Sequence, residues 1–237
     1  MKVIISIPAY NEEENIEKVI KEIKGVMNKT KYDYKILVLD DGSTDKTIEK
    51  AKKSGAIVFS NSHNLGLAET FKNEIKKFLE LKADVMVHTD ADGQYFASDI
   101  PRMLKEIENG YDLVLGSRFI EKNKSMPLLK RVGNKAFAKV LSKLLKIKLT
   151  DTTTGFRAFT KNIAENIKFI NTFTYTQEQI IKAAKQNYKI KEISIKTRPT
   201  RESRLFKNPI EYAIKAWINI LRIYRDYKPL KFFGRIG

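Results

Sequence analysis

Asp84-Val85-Met86-Val87-His88-Thr89 runs directly into Asp90-Ala91-Asp92-Gly93-Gln94, and this stretch decides both the fold and the chemistry. Apolar side chains carry the chain into a buried, parallel-type strand, at whose end two carboxylates, a glycine and an amide follow at once. Crowding two carboxylates together is costly unless a cation lies between them. All-oxygen donors suit Mg²⁺ or Mn²⁺, which keeps several waters and draws its remaining ligands from a phosphorylated substrate. The plain alternative is a strand-ending turn, since Asp-Ala-Asp-Gly is also good turn chemistry.

Upstream, the same event recurs. Val3 to Ile7 reads as a strand ended by Pro8-Ala9-Tyr10-Asn11-Glu12, and Ile16, Val19, Ile20, Ile23 and Met27 then repeat at helical spacing. Lys35 to Asp40 is a second strand stopped by Asp41-Gly42-Ser43-Thr44, where Ser43 or Thr44 is expected to cap a helix over 45–53. Ala56 to Ser60 is a third strand, with a helix from Asn64 to about Leu81. Downstream, a helix over Ser98 to Asn109 leads to a strand over Tyr111 to Leu115, ended by Gly116-Ser117-Arg118. Alternation of this kind predicts a mostly parallel central sheet flanked by helices, with ligands bound at the carboxyl ends of its strands. Four strand ends carrying polar clusters make a shared site more economical than four unrelated turns.

Composition narrows the classes. The chain has 237 residues and no cysteine, so disulfide frameworks and thiolate metal sites are excluded. The first residues read as a strand rather than a signal peptide, and no apolar run approaches a membrane span. The net charge of +17 is localised: residues 122–149 hold 9 basic and 0 acidic groups, and residues 196–237 hold 11 and 3. These excesses, +9 and +8, account for all of it and imply an anionic partner, either a membrane surface or nucleic acid. Over about 126–148, Leu128, Val132, Phe137, Val140, Leu141, Leu144 and Leu145 fall on one side of a helix, with Lys130, Arg131, Lys135, Lys139, Lys143 and Lys146 over much of the rest. The expectation is an interfacial helix on anionic lipid, in preference to a core-packed helix with a solvated basic face. After Pro209, Trp217, Leu221 and Tyr224 belong to a second apolar stripe, suited to a membrane, the domain or an anchoring partner. No nucleic-acid motif accompanies the charge, so a nucleic-acid-binding role is the remote reading.

Helices over 162–168 and 176–187 and a strand over Tyr188 to Thr197 complete the reading. His88 is expected to be a satisfied core histidine and His63 a loop residue.

The order Pro-x-Tyr-Asn-Glu, Asp-Asp-Gly-Ser-x-Asp, Asn-x-Gly-x-x-Ala, Asp-Ala-Asp-Gly-Gln and Gly-Ser-Arg-Phe resembles the family 2 inverting glycosyltransferases. Asp151-Thr-Thr-Thr-Gly155-Phe-Arg157 and Arg198-x4-Ser203-Arg204-Leu205 are similar to the dolichyl-phosphate mannose synthase branch. The resemblance implies a single-domain, Rossmann-like α/β GT-A fold over residues 1–205, with residues 206–237 as an amphipathic helix and basic tail. It implies transfer of a hexose, mannose preferred, from a nucleotide diphosphate sugar such as GDP-mannose to a dolichyl or polyprenyl phosphate. It further implies Mg²⁺ or Mn²⁺ on Asp90, Asp92 and Gln94, with Asp90, Asp92 and Arg118 as catalytic candidates. The nucleotide-sugar pocket is expected to draw on Pro8, Tyr10, Glu12, Leu39, Asp41, Asp90, Ala91, Asp92, Arg118, Arg198 and Arg204. Arg118, Arg131 and Arg198 are expected around the acceptor phosphate, because guanidinium forks match phosphate oxygens. The implied setting is peripheral, on the cytoplasmic membrane face. Were the acceptor a hydroxyl, Glu178 is the candidate base. Arg201 and Arg204 stand where the branch commonly has Gly and Lys, and Thr154 where it has Ser, which leaves the sugar and the nucleotide base open.

Overall fold

A computed structural model describes residues 1–120, 128–170 and 175–199, the side chains of 128–132 excepted, together with Ile218, Arg222, Arg225 and Gly234. Seven strands form one sheet: β1 (Lys2–Ala9), β2 (Asp33–Asp40), β3 (Ile57–Ser60), β4 (Val85–His88), β5 (Leu113–Ser117), β6 (Arg157–Thr160) and β7 (Ile190–Ser194). Their order is β3-β2-β1-β4-β6-β5-β7. All pairings are parallel except those of β6, which runs antiparallel between β4 and β5. The predicted mostly parallel sheet is present, but β6 was not foreseen. Its four residues open on an arginine and close on a threonine, too polar to show as a strand.

Period-two alternation divides the strands between two cores. Ile5 and Ile7 of β1, Val38 of β2 and Val87 of β4 meet α1 (Ile16–Met27), α2 (Thr47–Lys53) and α4 (Ile100–Glu108) on one face. Ile4, Leu37, Met86 and Phe159 meet α3 (Leu67–Glu80), α5 (Leu128–Leu145), α6 (Lys161–Asn166) and α7 (Thr176–Lys185) on the other. The result is a three-layer sandwich whose parallel strands all end along one edge.

Two expectations are corrected. Neither Ser43 nor Thr44 caps α2, whose N-cap position is Lys46 without a side-chain cap; Asp45 closes the turn just before the helix, its Oδ1 accepting the Thr47 N–H at 2.9 Å. Asp40 takes the Gly42 and Ser43 N–H groups instead, closing the preceding turn. Second, α5 is not an interfacial helix with its apolar stripe free for lipid. Phe137, Leu141, Leu144 and Leu145 are buried in the second core, leaving Lys135, Lys139, Val140, Lys143 and Lys146 exposed outward. The apolar side chains of the helix cover those of the sheet face, which removes both from water. Among the described residues no helix is long and apolar enough to cross a membrane. Arg204 and the expected helix after Pro209 lie outside the described residues, apart from the isolated positions given above.

Candidate active site

Every parallel strand delivers its end residues to the same edge of the sheet. Tyr10 follows β1, Asp41 follows β2, Asp90 and Asp92 follow β4, Arg118 follows β5 and Arg198 follows β7. Asp90 is half-buried, and no donor among the described residues bonds its carboxylate. Burial, with the Asp92 carboxylate beside it, pushes the Asp90 carboxyl up to about 6 against the pull of His88 and Arg118. Asp92 is better satisfied, its Oδ1 accepting the Gln94 N–H at 2.9 Å, and Gly93 closes the intervening turn at φ +74°. Ala91 is buried in the first core.

Gly155 lies beside the Asp90 carboxylate. A β-carbon there would stand 2.9 Å from Asp90 Oδ1 and 3.2 Å from Oδ2, so any side chain at this position would push the carboxylate from its place.

Arg118 is fixed from the other side. Asp151, fully buried, accepts its Nε at 2.6 Å and its Nη2 at 3.0 Å. Desolvation opposes the charge, but Asp151 more than restores it, so the guanidinium is held firmly protonated and within the field of Asp90. Asp151 is itself placed by Glu192 of β7, which accepts the Thr150 and Asp151 N–H groups at 2.8 Å each. Sequence reading missed Asp151 as a partner; the quoted motif contained it, but nothing in the spacing ties residue 151 to 118.

Several of the predicted pocket residues are engaged within the chain. The Asp41 carboxylate accepts N–H groups from Leu65, Gly66 and the Asn61 amide at 2.9 Å, ordering the loop before α3. Leu39 is core, Pro8 is half-buried and Glu12 is buried near the start of α1, whereas Tyr10 is exposed at the strand edge. Arg198 Nη1 donates to the carbonyls of Gly93 at 3.0 Å and Tyr95 at 3.3 Å, and Nη2 reaches Glu22 at 3.1 Å. Its guanidinium stacks 3.9 Å from the Phe96 ring. Arg198 thus clamps the loop that carries Asp92 and Gln94. Glu178 pairs with Lys182 at 2.6 Å and accepts the Ile170 N–H at 2.9 Å. The Arg131 side chain lies outside the described residues.

Beneath this edge is a buried polar layer that sequence reading largely missed. His88, fully buried as expected, meets Glu74 of α3, the Gly155 carbonyl and Tyr175. Burial disfavours its imidazolium, but Glu74 outweighs this and raises its pKa above the ordinary value. Arg157, also fully buried, donates to the Thr154 and Thr176 carbonyls and to Gln179. Fully buried charges carry no periodicity signal that distinguishes them from surface ones.

Among the described residues no cluster of three or more His, Cys, Asp or Glu is arranged to hold a metal. A cation on the expected Asp90, Asp92 and Gln94 would have to draw its remaining ligands from phosphate oxygens and water, which suits a Mg²⁺-type ion. The undonated, partly desolvated Asp90 carboxylate fits that role.

Comparison with known proteins gives a consistent result. A family model described as glycosyl transferase family 2 matches residues 4–168. A dolichyl-phosphate hexose transferase of Haloferax volcanii is 34% identical over 194 residues, covering 81% of this chain and 80% of its own. A UDP-N-acetylglucosamine–dolichyl-phosphate N-acetylglucosaminyltransferase of Methanococcus voltae is 30% identical, covering 93% of this chain and 95% of its own. The crystal structure of glucosyl-3-phosphoglycerate synthase from Mycobacterium tuberculosis with Mn²⁺, UDP-glucose and phosphoglyceric acid superposes with a TM-score of 0.73 at 19% identity, covering 95% of this chain and 79% of that one. At that identity the likeness speaks for the fold, and the expected single-domain GT-A architecture is the one found.

Proposed function

Because the chain belongs to glycosyl transferase family 2, we propose that this hexosyltransferase moves its sugar, with inversion, from a nucleotide diphosphate sugar to a dolichyl or other polyprenyl phosphate. The observation that supports this most is the convergence of Asp90, Asp92 and the buried cation of Arg118 on one strand edge. The dolichyl-phosphate acceptors in the relatives' names support the acceptor class.

Inversion in one displacement means that a bond forms from an acceptor phosphate oxygen to the anomeric carbon as the bond to the diphosphate oxygen breaks. The electron pair leaves with the nucleoside diphosphate. A phosphate acceptor is already anionic near neutral pH, so no strong base is needed, and orientation and charge stabilisation dominate. Asp90, Asp92 and Gln94 would hold Mg²⁺ or Mn²⁺, which supplies neutralisation of the diphosphate. Arg118, its geometry fixed by Asp151, presents a permanent positive charge to the phosphates. Arg198 acts on the loop rather than on a phosphate in this arrangement.

GDP-mannose is the first donor expected and UDP-N-acetylglucosamine the second, the latter because of the M. voltae relative. The proposed setting is the cytoplasmic face of an anionic membrane, engaged electrostatically by the lysine face of α5. A hydroxyl acceptor with Glu178 as base is less favoured, since Lys182 and the Ile170 N–H already engage that carboxylate.

The deciding experiment offers purified protein each common labelled nucleotide sugar, dolichyl phosphate and Mn²⁺ or Mg²⁺, and follows label into the lipid phase. Transfer that disappears with chelator and in Asp92→Ala supports the reading. Label that enters no polyprenyl phosphate from any donor overturns it, and undiminished transfer in Asp92→Ala and in chelator removes the metal.

A further inference from the structure

Behind Asp90 lies a chain of polar contacts that connects β1, α3, β4 and the loop carrying Gly155. Ser6 Oγ of β1 donates to Glu74 Oε1 of α3 at 2.7 Å. Glu74 Oε2 stands 3.2 Å from His88 Nε2, as a close pair rather than an aligned hydrogen bond. His88 Nδ1 lies 2.9 Å from the Gly155 carbonyl, and a carbonyl can only accept, so Nδ1 carries the proton. Ser6, Glu74 and His88 are all fully buried. Tyr175 closes the layer, its hydroxyl 3.2 Å from Nε2 and its ring stacked 3.7 Å from Phe71.

Placing Glu and His together in the second core is expensive, and well-packed apolar side chains of similar volume would serve stability as well or better. What the chain does hold is the backbone at Gly155, and Gly155 is what the Asp90 carboxylate rests against. No donor among the described residues bonds Asp90, and the backbone at Gly155 leaves no room for a β-carbon beside its carboxylate.

We propose that Ser6, Glu74 and His88 form a positioning device that acts through the Gly155 carbonyl to set the Asp90 carboxylate and, with it, the strength of divalent-cation binding. The inference rests on the reading of Asp90 as a cation ligand. Outer partners that orient metal ligands typically change metal affinity by about 10- to 100-fold when removed.

The test separates the two ends of the imidazole. In His88→Asn the amide nitrogen falls near the Nδ1 position and keeps the donation to Gly155. In His88→Gln it reaches toward Nε2, keeping Glu74 and Tyr175 but leaving the Gly155 carbonyl without its donor. Free Mn²⁺ is followed by EPR in the presence of GDP or UDP, beside steady-state transfer kinetics and a melting curve for each protein. His88→Gln should weaken Mn²⁺ binding about tenfold or more and lower kcat while KM for the lipid acceptor holds. His88→Asn should restore both toward wild type. Gly155→Ala, which leaves His88 untouched and drives a methyl group at Asp90, should likewise weaken Mn²⁺ binding and so tests the Asp90 end of the chain. If the His88 variants do not fold, Ser6→Ala, which removes the donor to Glu74 without touching Asp90, should weaken it in their place, and unchanged binding in Ser6→Ala overturns the device. Equal Mn²⁺ binding in wild type, His88→Gln and Gly155→Ala overturns the device while leaving the transferase reading intact, provided wild type transfers sugar. A wild-type protein that neither binds Mn²⁺ nor transfers sugar overturns both.

Discussion

Asp151 holds Arg118 three times over, through the backbone N–H at 3.3 Å, Nε at 2.6 Å and Nη2 at 3.0 Å. Removing the acid leaves a guanidinium buried without its counter-charge. Asp151→Ala is expected to cost about 3–5 kcal/mol in urea unfolding, the usual penalty for orphaning one member of a buried pair. The double variant Asp151→Leu with Arg118→Met should recover much of that loss while remaining inactive. Single and double variants of equal stability would show that the pair is not coupled.

Asp45 provides a test in pH. Its burial works against the carboxylate, but hydrogen bonds from the Thr47 hydroxyl and N–H and from the Glu13 N–H outweigh it, holding its pKa below the ordinary range. The folded state therefore favours the charged form, and the stabilisation is complete above the unfolded pKa near 4 and lost as pH falls through the lowered folded value. Asp45→Ala should cost about 1 kcal/mol at pH 7, the size of a typical net hydrogen-bond contribution. That gap should close when the denaturation is repeated near pH 2.

Gly42 occupies φ +77°, and a β-carbon there would lie 2.6 Å from the His63 carbonyl carbon. Both the backbone conformation and the contact exclude a side chain. Gly42→Ala should lose roughly 1–3 kcal/mol and loosen the 61–66 loop that Asp41 orders, readable as faster amide exchange at Leu65 and Gly66.

The outward face of α5 carries Lys135, Lys139 and Lys143, with Lys146 just past its end, none of them in an ion pair among the described residues. Reversing two, as Lys139→Glu with Lys143→Glu, should weaken sedimentation with anionic liposomes by roughly tenfold or more at low salt, leaving neutral liposomes unaffected. Unchanged binding would move the membrane contact off this helix, and tighter binding to DNA than to liposomes at matched salt would count against the membrane altogether.

Arg198 should behave as a loop clamp. Arg198→Ala frees the carbonyls of Gly93 and Tyr95, so kcat should fall and the 93–96 segment become more open to protease. Were Arg198 a phosphate ligand instead, KM for the acceptor would rise with the loop protection unchanged.

The strand ends were legible because each apolar run stops at a polar cluster, and a parallel sheet then forces those clusters together. The strand Arg157-Ala-Phe-Thr160 was not, because an arginine opens it and a threonine closes it, leaving only two apolar residues to signal burial. The apolar stripe of α5 was visible, but its partner was not. Phe137, Leu141 and Leu144 would face lipid or core with the same spacing, and only the sheet face awaiting cover decides. Glu74 and Arg157 were missed for a related reason, since their burial is made by neighbours distant in sequence.

The reversed strand β6 bears on how the chain assembles. On its outer side β4 pairs with residues 157–160, more than sixty positions later, as His88 against Arg157 illustrates. Until that segment has been synthesised, β4 presents bare N–H and C=O groups along a flat apolar ribbon, which invites pairing with a neighbouring chain. A fragment ending near residue 120 should therefore precipitate on its own, and a separately made piece beginning near 128 should rescue its solubility by supplying the missing neighbour.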